Sequence, residues 1–135
     1  MKQITTFLMF VGDKHGKAEE AINFYVGLFP HSYIDAIEHY KAGEPGAEGT
    51  VKVATFTLNG QLFKAIDSGA PHQFNFTPAI SLYFECDTAE ELAHLYQALS
   101  AGGQELMPLG NYGFSRQFGW VNDRFGVSWQ LNLVG

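Results

Sequence analysis

Gly119-Trp120-Val121-Asn122-Asp123-Arg124-Phe125-Gly126-Val127-Ser128-Trp129-Gln130-Leu131 reads as a strand, a tight Asp-Arg-Phe-Gly turn and a second strand. Asp123 and Gly126 supply the turn chemistry, and the aromatic and β-branched residues on either side supply the strands. Two tryptophans in so short a span mark it as packed and as one wall of a cavity. An earlier stretch, Phe56-Thr57-Leu58-Asn59-Gly60-Gln61-Leu62-Phe63-Lys64-Ala65, has the same form, with Gly60 standing where Gly126 stands. Two hairpins of one design suggest a chain built from two copies of one unit.

Working outward, each hairpin closes a similar series. Ile4 to Val11 is rich in strand formers. Lys17 to Phe29 places Ala18, Ala21, Ile22, Tyr25, Leu28 and Phe29 on one helical face, and Pro30 stops the helix. Ser32 to Tyr40 is a strand, Ala42 to Gly49 a flexible loop, and Thr50 to Leu58 with Gln61 to Asp67 the first hairpin. Residues 69–78 form a connector between halves of about 1–68 and 79–135, and the pattern then restarts. Ala79 to Cys86 is a strand. Asp87 to Ser100 is a helix opened by the capping box Thr88-Ala89-Glu90-Glu91 and closed by Gly102-Gly103. Gln104 to Met107, Ser115 to Asn122 and Val127 to Val134 are the remaining strands. Ala18-Glu19-Glu20 matches Ala89-Glu90-Glu91, Tyr25 matches Tyr96, and Leu28 matches Leu99. Each half therefore reads β-α-β-β-β. A unit of that size has a marginal core alone, so pairing two of them within one domain is expected.

The totals exclude several classes. With 46% hydrophobic and 16% charged residues in 135, the chain is an ordered globular domain. A net charge of -6 and a pI near 5.2 give no electrostatic basis for nucleic-acid binding. No apolar run reaches the length of a membrane span. No signal region precedes Ile4, and one cysteine, Cys86, precludes an internal disulfide. The cytoplasm is the expected compartment.

Paired βαβββ modules forming a curved mixed sheet, an α+β fold, are the mark of the vicinal-oxygen-chelate, or glyoxalase/bleomycin-resistance, superfamily. Within it the chain resembles the PhnB-like group, often labelled 3-demethylubiquinone-9 3-methyltransferase domain proteins. The residues that carry the resemblance are Ala18 to Ala21 with Phe24-Tyr25 and Leu28-Phe29, then Phe56 to Gln61, Phe74-Asn75-Phe76-Thr77-Pro78-Ala79-Ile80-Ser81-Leu82, and Gly119-Trp120 through Asp123 to Phe125-Gly126-Val127-Ser128-Trp129-Gln130. Departures are confined to Ala42–Gly49 and Glu105–Phe118, which bear on pocket shape more than on fold.

The resemblance implies four metal-ligand positions on the concave side of the sheet, here Thr6, Lys64, Ser81 and Gln130. A threonine, a serine and a neutral amide are poor partners for a divalent cation, and Lys64 repels one. A one-residue slip would bring in Asp67, and a weak site with Asp67 or Glu85 stays open. His15, His31, His39, His72 and His94 show no ligand-pair spacing. Cys86 has no acid–base partner in view, and Ser81 and Ser128 lack a nucleophile elbow. For methyl transfer, a parallel α/β sheet with a Gly-x-Gly-x-x-Gly turn would be needed, and the chain has neither.

What remains is a cavity. By strand parity, Ser81, Tyr83 and Glu85 share one face, as do Ser128, Gln130 and Asn132, while Val127, Trp129, Leu131 and Leu133 take the other. Thr6, Phe10, Lys64, Asp67, Ser81, Tyr83, Arg116, Trp120 and Gln130 are the candidate ligand-binding residues. The expectation is a small-molecule binding protein with no tightly held metal and no cofactor. A metal-assisted lyase, isomerase or dioxygenase of the same superfamily is the alternative, and methyl transfer a distant third. A homodimer is expected from the resemblance and from the exposed sheet edges such modules leave.

Overall fold

A computed structural model describes residues 2–134. Their contacts divide into two compact units, one ending at Asn75 and the other starting at Phe76, so the break falls inside the segment 69–78. The first unit runs β1 (Thr6–Phe10), α1 (Ala18–Leu28), β2 (Tyr33–His39), β3 (Val51–Leu58) and β4 (Gln61–Asp67), with a single 3-10 turn at Gly12–Lys14. The second runs β5 (Leu82–Cys86), α2 (Ala89–Ser100), β6 (Gln104–Gly110), β7 (Phe118–Asn122) and β8 (Ser128–Leu133). The order β-α-β-β-β repeats, as the matched hairpins imply.

Each unit holds one four-stranded mixed sheet, ordered β1-β4-β3-β2 in the first and β5-β8-β7-β6 in the second. In both, the first strand lies parallel to the last and the other pairs are antiparallel. The registers correspond: Thr6 opposes Phe63 at the start of β1, and Leu82 opposes Trp129 at the start of β5. The helix covers one face of each sheet. Ala18, Ala21, Ile22 and Tyr25 of α1 are buried with Phe10, Ala54, Phe56, Phe63 and Ala65. In the second unit Leu92, Leu95 and Leu99 of α2 are buried with Val121, Trp129 and Leu131. At about 25 cal/mol per Å² of apolar surface, these faces supply the main driving force of each unit.

The two hairpins share a plan and differ by one residue. Asn59 and Gly60 both have positive φ (50° and 80°), the signature of a type I′ two-residue turn. In the second, Asp123 N–H donates to Val127 O at 2.8 Å, and Gly126 takes the positive φ, 93°. The loop is held by Asp123 itself. Its Oδ1 accepts from Phe125 N and Val127 N, and its Oδ2 from Trp129 Nε1 at 2.9 Å.

The helix starts differ more. Thr88 caps α2, its Oγ1 accepting from Glu91 N at 3.1 Å, while the Glu91 carboxylate reaches back to Asp87 N rather than Thr88 N. Helix α1 has no side-chain cap at Lys17. Instead Asp67, at the end of β4 and 1% exposed, accepts from Gly16 N at 2.8 Å and Ala18 N at 3.2 Å through Oδ1, and from Val51 N at 2.9 Å through Oδ2. One carboxylate from a distant strand thus closes the helix start and ties down β3.

Some strand limits move for local reasons. β5 begins at Leu82 rather than Ala79, because Thr77 folds its carbonyl and hydroxyl into a turn with Ile80 N and Ala79 N. β7 begins at Phe118 rather than Ser115, whose hydroxyl bonds Gln117 O. β6 extends to Gly110 through Pro108, with register shifts along it. No helix among the described residues is long and apolar enough to cross a membrane.

Candidate functional site

Since each helix covers one face of its sheet, any site on the strands lies on the open face, and register decides which side chains reach it. In the second unit Tyr83 opposes Gln130 and Gln130 opposes Trp120, so these three form one cross-strand row. Glu85, Asn132 and Phe118 form the next row along. Trp120 Nε1–H donates to Ser128 Oγ at 2.8 Å, and Ser128 Oγ lies 2.8 Å from Ser81 Oγ. This chain of bonds holds the indole in one orientation while Trp120 and Gln130 stay half-buried and Tyr83 is 53% exposed. Both serines are engaged in orienting the indole, and neither has a basic partner.

The Glu85–Asn132 row runs into a pocket. A cavity of about 390 Å³ is lined by Glu85, Asn132, Leu133 and Val134 from the strands, and by Asn111, Gly113, Phe114, Ser115 and Arg116 from the loop between β6 and β7. Aromatic packing seats that loop. Phe118, 3% exposed, meets Phe114 edge-on at 4.9 Å and Tyr112 at 6.1 Å, and lies 6.4 Å from Tyr83. The pocket lining is mostly polar, with Phe114, Leu133 and Val134 as its apolar members.

In the first unit the open face carries Phe7, Lys64 and Thr55 in one row. Here three sequence candidates need correction. Thr6 opposes Phe63, and Phe10 opposes Asp67; all four point to the helix side, opposite to Lys64. Phe10 is fully buried and Asp67 nearly so, so neither lines an open cavity. Asp67 spends its carboxylate on backbone amides, which also removes it as a slipped metal ligand. Lys64 does lie on the open face of its own sheet, exposed beside Phe7. A second cavity of about 460 Å³ sits among His15, Tyr40, Pro45, Gly46, Ala47, Ser68, Gly69 and Ala70.

Four candidates meet in the second unit: Ser81, Tyr83, Trp120 and Gln130 share its open face. Arg116 lines the pocket at one end of that face. Phe114 and Phe118 escaped sequence reasoning, although the aromatic density of Tyr112-Gly113-Phe114-Ser115-Arg116-Gln117-Phe118 signals a packed loop. Trp129 faces the helix side, as strand parity predicts, with its indole N–H bound to Asp123.

A divalent ion does not suit these positions. The register replaces Thr6 by Phe7 on the open face, leaving Phe7 with Lys64 in one unit and Tyr83 with Gln130 in the other. Among the described residues no group of three or more His, Cys, Asp and Glu side chains is placed to hold a metal. His39 pairs with Glu19 at 2.7 Å, and His72 lies 2.8 Å from Ser68 Oγ. Burial pushes the Cys86 thiol up to about 12, aided by the nearby Glu91 and Asp87 carboxylates, so it is no nucleophile.

Comparison with known proteins follows the same lines. No curated protein matches the chain. Among solved structures it is similar to the putative 3-demethylubiquinone-9 3-methyltransferase, PhnB protein, of Bacillus cereus. That chain is 56% identical with a TM-score of 0.93, over 98% of this chain and 100% of that one. Protein PA1353 of Pseudomonas aeruginosa is 26% identical with a TM-score of 0.83, over 98% of each chain. A glyoxalase/bleomycin resistance protein of Albidiferax ferrireducens T118, at 13% identity and a TM-score of 0.59 over 98% of this chain and 100% of that one, shares the fold. The family model for 3-demethylubiquinone-9 3-methyltransferase matches residues 2–132, and this chain belongs to that family, the PhnB-like group of the glyoxalase/bleomycin-resistance fold.

Proposed function

We propose that this protein binds a small molecule on the open face of its second sheet, without a tightly held metal. The observation that carries the reading is the row Tyr83–Gln130–Trp120, with its indole locked by Ser128 and Ser81 and opening into the pocket at Arg116 and Glu85. An oriented indole, a phenol and an amide offer stacking and hydrogen bonds but no activated nucleophile and no general base matched to one. The donor set supports the metal-free reading, because Gln130 stands where a carboxylate would serve a cation better. The family name suggests methyl transfer, but mixed four-stranded sheets without a glycine-rich first turn give S-adenosylmethionine none of its usual holds. The homodimer belongs to the same proposal. Phe7, Tyr33 and Val53, which are 54%, 56% and 37% exposed, lie on the open face of the first sheet, exposed apolar side chains that a partner would cover.

The chain holds two tryptophans, and Trp129 is buried against Asp123, so a ligand on this face changes the emission of Trp120. A fluorescence screen of small molecules should give saturable quenching that Gln130→Ala weakens and Trp120→Phe abolishes. Hits whose binding ignores both substitutions would remove the site assignment. Native mass spectrometry of protein purified without chelators should give a dimer at apo mass. One divalent ion retained per subunit would overturn the metal-free reading, and a monomer would overturn the dimer.

A further inference from the structure

The pocket at one end of this face carries a charge pattern that narrows what it takes. Glu85 and Arg116 both line it, yet among the described residues they form no ion pair with each other or with any other group. Asn132, the cross-strand partner of Glu85, also lines it. An unneutralised cation and an unneutralised anion facing one small cavity call for opposite charges on one molecule.

Resting on the small-molecule reading above, we propose that the ligand is a small zwitterion with an aromatic or apolar body. Its anionic group meets the Arg116 guanidinium, whose planar fork suits a carboxylate. Its ammonium donates to the Glu85 carboxylate. Its body lies against Phe114, which is 66% exposed and held edge-on to Phe118. A cavity of about 390 Å³ fits a molecule of amino-acid size.

The test uses three probes of one shape: L-phenylalanine, 3-phenylpropionate without the ammonium, and 2-phenylethylamine without the carboxylate. Amide chemical shifts of the 15N-labelled full chain report binding and its location. The expected result is that phenylalanine binds at the 111–117 loop and β8, about tenfold or more tightly than either analogue, the worth of one charge-assisted contact. Glu85→Gln should abolish the advantage over 3-phenylpropionate, and Arg116→Gln the advantage over 2-phenylethylamine. Both side chains are exposed, so the folded spectrum should survive either change. Equal affinity for all three probes, or no shift with phenylalanine, overturns the zwitterion. Should screen hits still quench Trp120 in a Gln130-dependent way, the small-molecule reading stands without it. If those hits also ignore Gln130 and Trp120, the reading itself falls.

Discussion

Asp67→Asn is the substitution that separates structure from function most sharply in this chain. The native carboxylate accepts three backbone N–H groups at 2.8, 3.2 and 2.9 Å while 1% exposed. An asparagine has the same shape but only one acceptor oxygen. If that oxygen keeps Gly16 and Ala18, the new Nδ2 faces the Val51 amide, donor against donor. A hydrogen bond to a charged group contributes about 1.5–3 kcal/mol, and stranding a buried donor costs about 1–3 kcal/mol. These are overlapping accounts of one lost contact, and the two retained bonds weaken with the lost charge, so about 3 kcal/mol is expected. At roughly 3–4 °C per kcal/mol for a chain of this length, Tm should fall by about 10 °C.

Thermal unfolding followed by circular dichroism measures this, with exposed Glu48→Gln as a control expected to change stability by less than about 0.5 kcal/mol. Hydrogen exchange adds location: the amides of Gly16, Ala18 and Val51 should lose protection first. A Tm within about 2 °C of the parent, or uniform loss of protection, would refute the keystone role. A ligand role for Asp67 predicts the opposite pattern, weakened ligand binding with stability kept.

Three further outcomes follow from the packing. A Cβ on Gly119 would lie 2.7 Å from the Tyr96 ring, so Gly119→Ala should cost about 1–3 kcal/mol in urea unfolding, and a neutral result would mean that the ring moves freely. Burial, and then the bond it donates to Glu105, push the Tyr96 phenol up to about 12. Absorbance titration should therefore show a late-ionising tyrosine in the parent that is absent in Tyr96→Phe. Between pH 10 and 12 the unfolded chain loses this proton while the native chain keeps it, so stability falls as pH rises through that window, more steeply in the parent than in Tyr96→Phe. Cys86, fully buried and raised to about 12, should react with a thiol reagent at pH 8 only as fast as the protein opens, and prompt reaction of the native chain would contradict its burial.

What could be read in advance divides by the range of the interactions. Thr88 and Glu91 are three residues apart, so the cap of α2 is visible in the sequence. The cap of α1 comes from Asp67, 49 residues beyond Ala18, and nothing local distinguishes that aspartate from a ligand. β8 alternates polar and apolar residues, so Ser128, Gln130 and Asn132 could be placed together correctly. β1, Thr-Phe-Leu-Met-Phe, is apolar on both faces, and alternation carries no sign there. Only the pairing of Phe7 with Lys64 shows that Thr6 and Phe10 turn to the helix. The loop Asn111–Gln117 has no periodicity at all, so its place beside Glu85 and Asn132 was out of reach, though its aromatic content was not.

The corresponding registers let the two open faces be compared position by position. Phe7 and Lys64 in the first unit answer to Tyr83 and Gln130 in the second, Met9 and Ile66 to Glu85 and Asn132, and Thr55 to Trp120. The helix-facing positions stay apolar in both, Phe63 against Trp129 and Ala65 against Leu131, because each core must exclude water by the same means. The open faces carry no such constraint. The first sets Phe7, Tyr33 and Val53 among Lys64, Thr55 and Glu38. The other has gained an amide, a carboxylate and an oriented indole, a surface suited to recognising something small. These differences are why the site is sought on the second sheet and the partner on the first.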